Sequence, residues 1–146
     1  METSDLVREF HSKFGYPVDR TLPAGIHREL WDLSAILRSK SEQILERAKA
    51  EAVKGDDRLY RAHLILEEVA ELFSGMEAGN RIETADALAD LVYVVVGTAV
   101  NFGFPLERLV QEVHRSNMTR QRVDFRMRDK GEGFSKPDIQ GVLDGR

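Results

Sequence analysis

The chain has no cysteine, which excludes disulfides, thiolate metal ligands and cysteine nucleophiles and suits a reducing cytoplasm, the expected location. It also lacks a dominant sign of charge. Its 25 acidic and 21 basic residues leave a net charge of −4, so no uniform basic field advertises a nucleic-acid polymer as partner. The first residues, Met1 to Leu6, lack the charged and apolar pattern of a secretion signal, and no leader is expected. The longest apolar run, Leu91 to Val100, falls short of the roughly 20 residues that a membrane span needs, so no membrane partner is expected. Repeats, low-complexity stretches and the period-two alternation of strands are absent as well.

What is present reads as helix after helix, with 42% apolar residues to supply one core in a single domain over 1–146. Leu6, Phe10 and Phe14 recur every four residues after Ser4 and stop at Gly15, a short amphipathic helix with a glycine end. A connector from Tyr16 to Gly25 carries Pro17 and Pro23 and completes an N-terminal region 1–25. The helical core is expected over 26–120. Leu30, Leu33, Leu37, Ile44 and Ala48 mark one face of a long helix from Ile26 to Lys54, and Gly55-Asp56-Asp57 ends it and caps its successor. The third helix, Arg58 to Ala78, puts Ile65, Val69, Leu72, Phe73 and Met76 on its apolar side, before a turn at Gly79-Asn80. Asn80 and Glu83 have capping-box spacing for a fourth helix, Arg81 to Asn101. Its second half is apolar almost all round, which predicts a central place. Pro105 opens a fifth helix, Leu106 to Arg120, and the basic tail 121–146 shows no period and is expected to be loop. The fold class is therefore all-α, an antiparallel bundle of four to five helices. A small bundle has trouble covering the fourth helix, so homo-oligomerisation, as a dimer or tetramer, is expected to complete it.

Seven acidic residues fall between Glu67 and Asp90 against the single Arg81. Glu68 and Glu71 are three apart on one helix face and Glu67 and Glu71 are four apart; Asp86 and Asp90 are four apart on the next helix, with Glu83 one turn earlier. Two helices joined by a tight turn run antiparallel, which lets these stripes face one another. Asp90 borders the most apolar run of the chain, where a carboxylate is costly unless a cation or donor meets it. Oxygen ligands without His or Cys favour Mg²⁺ or Mn²⁺. The competing reading is a solvated helix face, the ordinary fate of single residues such as Glu67, Glu77 or Glu83. His63 and His114 have no partner His or Cys at ligand spacing and read as helix-surface histidines.

The chain's end is the second informative region. Seven Lys or Arg lie between His114 and Lys136, and Lys130-Gly131-Glu132-Gly133 lets backbone come close to a ligand. An acidic helix pair followed by such a segment suits a polyphosphate, its oxygens shared between metal and cations. A solvated basic tail is the alternative on composition alone.

Glu67-Glu68-Val69-Ala70-Glu71, a spacer of 18 residues and Asp90-Leu91-Val92-Tyr93 resemble the EExxE and ExxD pair of the all-α nucleoside triphosphate pyrophosphohydrolases, the MazG-like group that includes phosphoribosyl-ATP pyrophosphohydrolase and the dimeric dUTPases. Asp86 to Tyr93, Val113 to Arg120, and Lys130 to Phe134 with Pro137-Asp138-Ile139 are similar to its single-domain branch. The resemblance implies a dimeric or tetrameric bundle that uses Mg²⁺ to cleave nucleoside triphosphates between the α and β phosphates, as house-cleaning of the nucleotide pool. It makes Glu68, Glu71 and Asp90 metal ligands, and Glu67 a further ligand or the base that activates water. Two positions depart from the pattern. The usual Glu three residues before the last Asp is Ala87, so Asp86 is the candidate replacement ligand, and the usual Lys of the Asn-x-x-Lys element is Arg120. Arg115, Asn117, Arg120 and Lys130 are candidates for phosphate and sugar contacts, and Tyr93 or Phe134 for the base. Action on phosphoribosyl-ATP or an alarmone, or a non-catalytic nucleotide or metal sensor, are the alternatives.

Overall fold

The computed structural model describes residues 1–129 and 131–146. Among these the order is α1 Thr3–Phe14, α2 Arg28–Val53, α3 Arg58–Glu77, α4 Arg81–Phe102, α5 Leu106–Asn117, β1 Gln121–Val123, β2 Arg126–Arg128 and α6 Ile139–Leu143. The residues divide into two compact units, Thr21–Asn101 and Met1–Arg20 with Phe102–Arg146.

In the first unit α2 and α3 form the most extensive helix pairing. Small and polar groups meet along their seam, where Ser34 and Ser41 are buried on α2 and His63 and Ala70 on α3. Hydrogen bonds at three levels tie it. The His27 amide donates to the Glu77 carbonyl at 2.9 Å, Ser34 Oγ donates to the Ala70 carbonyl at 2.8 Å, and Ser41 Oγ lies 2.8 Å from His63 Nδ1. Each step of seven residues forward on α2 matches seven back on α3, the spacing at which an antiparallel helix pair returns to the same face. Histidine 63 is thus buried, not a surface residue as its spacing suggested, because the small Ser41 opposite makes room for the ring.

The turn into α4 requires glycine twice. Gly79 has φ +64°, and a Cβ there would come within 2.5 Å of the Pro23 carbonyl oxygen. Just before it, α3 and α4 pass so closely that a Cβ on Gly75 would lie 2.8 Å from the Thr84 nitrogen. Asn80 Oδ1 accepts from the Glu83 amide at 3.1 Å, one half of the expected capping box. At the α3 start it is Asp56 of the expected capping triplet that accepts from the Arg58 amide, through Oδ1 at 3.2 Å, while Asp57 makes no side-chain cap bond.

Helix α4 is not central within this chain. Only Ala87 and Ala99 are buried on it, while Tyr93 is 81% and Val100 75% exposed. Hydropathy measures how much apolar surface needs cover, not which chain supplies it. By length and composition alone the full helix, Arg81–Phe102, is long and apolar enough to cross a bilayer, unlike the shorter run read from the sequence. Asp86 and Asp90 within it argue against that use.

In the second unit α1 packs on α5 and α5 on α6. Phe10 lies 4.8 Å from Phe14 and 5.8 Å from Tyr16, ring centre to ring centre, and Gly15 ends α1 at φ +70°. The Arg122 guanidinium stands 4.3 Å over the Tyr16 ring and also donates to the Phe14 carbonyl. The tail departs from the expected loop: β1 and β2 pair antiparallel with Arg122 opposite Met127, and Asp138 caps α6 by accepting from the Gly141 amide at 2.8 Å. Strands of three residues are too short to show a period. The described residues are therefore mostly helical, with one small sheet among them.

Candidate metal centre

One carboxylate oxygen from each of Glu68, Glu71 and Asp90 lies within 4.8 Å of the others. Helical spacing puts the first two on one face of α3, and the tight turn at Gly79 brings α4 back so that Asp90 meets them. Glu68 is the innermost. Its Oε2 is buried with no hydrogen-bond partner, and its carboxyl is held above the usual carboxylate range by burial first, then by Glu71, Asp90, Glu67 and Asp86. A buried acceptor without a donor, ringed by like charges, has the chemistry of a cation ligand. The donors are all carboxylate oxygens, which fits a hard divalent ion such as Mg²⁺ or Mn²⁺.

Two sequence-predicted residues stand beside this group. Asp86 is exposed on α4, outside the converging three yet close enough to raise Glu68, while Ala87 is buried at the position where the MazG-like pattern has Glu. Glu67 is half exposed, and its Oε2 lies 3.9 Å from His63 Nε2. The His63–Ser41 pair behind Glu67 was not singled out from the sequence. The seven-residue spacing of His63, Ala70 and Glu77 against Ser34 and Ser41 was the signal for it.

The remaining predicted residues are distributed as follows. Tyr93 is exposed on α4. Arg115, Asn117, Arg120 and Phe134 belong to the second unit, and Lys130 lies outside the described residues. The Arg115 fork is already filled: it donates to both Glu112 oxygens at 2.8 and 2.7 Å, to Ser135 Oγ at 3.1 Å and to the Lys136 carbonyl at 2.9 Å. Glu112 also accepts from the Asp138 amide at 2.7 Å, and these bonds hold its carboxyl down at about 2. Arg120 is half-buried with its Nε unpartnered, which leaves it a donor to spare.

Residues 30–117 match the family of phosphoribosyl-ATP pyrophosphohydrolase, and the chain belongs to that family, part of the MazG-like all-α pyrophosphohydrolase superfamily. The matched span contains the whole acidic cluster. No curated protein and no solved structure matches the chain.

Proposed function

We propose that the chain is a Mg²⁺-dependent nucleoside triphosphate pyrophosphohydrolase, splitting the bond between the α and β phosphates to give a monophosphate and pyrophosphate. The meeting of Glu68, Glu71 and Asp90 around a buried, unpartnered carboxylate oxygen carries this reading. Mg²⁺ or Mn²⁺ in that cluster would neutralise phosphate charge and acidify water. Glu68, Glu71 and Asp90 hold it, with Asp86 supplying the carboxylate that Ala87 lacks. Glu67 is not among the converging three, and it serves as the base that takes a proton from the attacking water.

Arg120, Asn117 and Lys130 bind phosphates and sugar; Arg115 holds the segment around Ser135 and Lys136 in place. Tyr93 or Phe134 faces the base. The exposed apolar face of α4 is covered by a second copy of the chain, so the working form is a dimer or tetramer. The substrate is a free nucleotide, dUTP or a non-canonical relative, handled in the cytoplasm with neither a nucleic-acid polymer nor a membrane as partner.

The test is pyrophosphate release across the canonical nucleoside triphosphates, dUTP, deaminated and oxidised nucleotides and phosphoribosyl-ATP, with Mg²⁺ and with chelator. Release from one or more nucleoside triphosphates, lost on chelation, is expected. Release from none of them, or from phosphoribosyl-ATP alone, would sink the reading.

A further inference from the structure

His63 is 6% exposed, and its Nδ1 lies 2.8 Å from Ser41 Oγ and 2.9 Å from the Ser41 carbonyl oxygen. A carbonyl only accepts, so Nδ1 carries the ring proton. With that proton on Nδ1, Nε2 is left facing Glu67 Oε2, one helical turn on, at 3.9 Å. That is beyond direct hydrogen-bond reach, and both atoms are acceptors. A single donor between them satisfies both. A water gives one hydrogen to each and keeps an oxygen lone pair free to attack.

We infer that His63 Nε2 and Glu67 Oε2 together seat the hydrolytic water, with Ser41 fixing the ring that presents Nε2. The inference rests on the pyrophosphohydrolase reading with Glu67 as base, and it adds a second acceptor that orients the water Glu67 deprotonates. It also accounts for Glu67 standing apart from Glu68, Glu71 and Asp90 on the same charged surface. The part of the ring is to set the direction of one O–H bond.

Two substitutions separate orientation from packing. His63→Asn keeps a polar atom near Nδ1 for Ser41 but leaves nothing at Nε2, whereas His63→Gln carries a polar atom out to the Nε2 position. Expected for His63→Asn is a kcat about tenfold lower, the value of one hydrogen bond, with KM and Mn²⁺ affinity unchanged. His63→Gln should recover part of that loss. An active wild type whose His63→Asn variant keeps full kcat, or loses Mn²⁺ affinity in step with kcat, overturns this inference alone. A wild type that releases no pyrophosphate overturns the functional reading and this inference with it. Should His63→Asn fail to fold, nitrogen NMR of the wild-type ring at neutral pH decides. A protonated Nδ1 and a bare Nε2, whose shift moves in Glu67→Gln, support the seat; a protonated Nε2 overturns it.

Discussion

Arg61 lies in the notch left by Gly97: its guanidinium donates to Thr98 Oγ1 at 3.1 Å and to the Val94 carbonyl at 2.8 Å, and a Cβ on Gly97 would come within 2.6 Å of it. Gly97→Ala should therefore behave oppositely in two backgrounds. In the native chain the helix-propensity gain of about 1 kcal/mol is offset by displacing two part-buried hydrogen bonds of about 1 kcal/mol each, a net loss. With Arg61→Ala already in place, the same change should stabilise. Urea unfolding of the four variants measures both signs; stabilisation in the native background would show that Arg61 moves aside freely.

Replacing Glu68, Glu71 or Asp90 by Ala should lower pyrophosphate release about a hundredfold or more, the scale of a catalytic electrostatic group. The helical circular dichroism should be unchanged, because each loss also relieves repulsion.

Glu68 gives the cation-free chain an unusual pH dependence. Its folded-state pKa lies above the ordinary 4.5, so the native chain holds a proton that the unfolded chain has already released. This contribution to stability is full below 4.5 and is lost as pH rises through the raised value. Melting temperature in chelator should fall across that window, and Glu68→Gln should remove the fall. Saturating Mg²⁺ should flatten it in the native chain.

The Asp86 and Ala87 positions can be exchanged. Asp86→Asn should weaken Mn²⁺ binding and activity together, while Glu83→Gln, on the exposed first turn of α4, should do little. Asp86→Ala with Ala87→Glu should recover part of the activity, because position 87 sits on the buried side of α4, three residues before Asp90. Full activity in Asp86→Asn would remove Asp86 from the site.

Glu112 ties α6 to α5 through Arg115 and the Asp138 amide. Its depressed pKa makes that tie complete above the ordinary 4.5 and loosened as pH falls towards about 2. Glu112→Gln should speed hydrogen exchange at Asp138 and in Ile139–Leu143 at neutral pH, with little change in α2 and α3.

Association through α4 predicts a mass above the monomer by light scattering at micromolar concentration. Val92→Glu with Val100→Glu, both on exposed positions, should return the chain to monomer without loss of helix.

The helices were legible because glycine and proline punctuate strong apolar periods. Gly15 stops α1, Gly79-Asn80 separates α3 from α4, and Pro105 precedes α5. Convergence of Glu68, Glu71 and Asp90 was legible for the same reason: residue spacing fixes a face, and a tight turn fixes which helix comes opposite. The tail was not, since its order comes from side chains on α5, Glu112 and Arg115, and from Thr119 just after it, reaching residues 16 to 26 positions away. Burial of His63 was hidden too. It depends on a serine across the seam, and nothing local distinguishes a histidine facing Ser41 from one facing water. The central place expected of α4 does not hold within this chain, because apolar content measures the surface that needs cover and not which chain supplies it.

The hydrogen bonds at three levels between α2 and α3 allow one register, and sliding either helix by a turn would break them. Glu67, Glu68 and Glu71 are thus mounted on a rigid chassis. Asp90 rides on α4, which meets α3 closely at Gly75 and is held by Arg61 further along. A cation lodged between α3 and α4 would be a latch as well as a reagent, and loading the site would stiffen the exposed apolar face of α4.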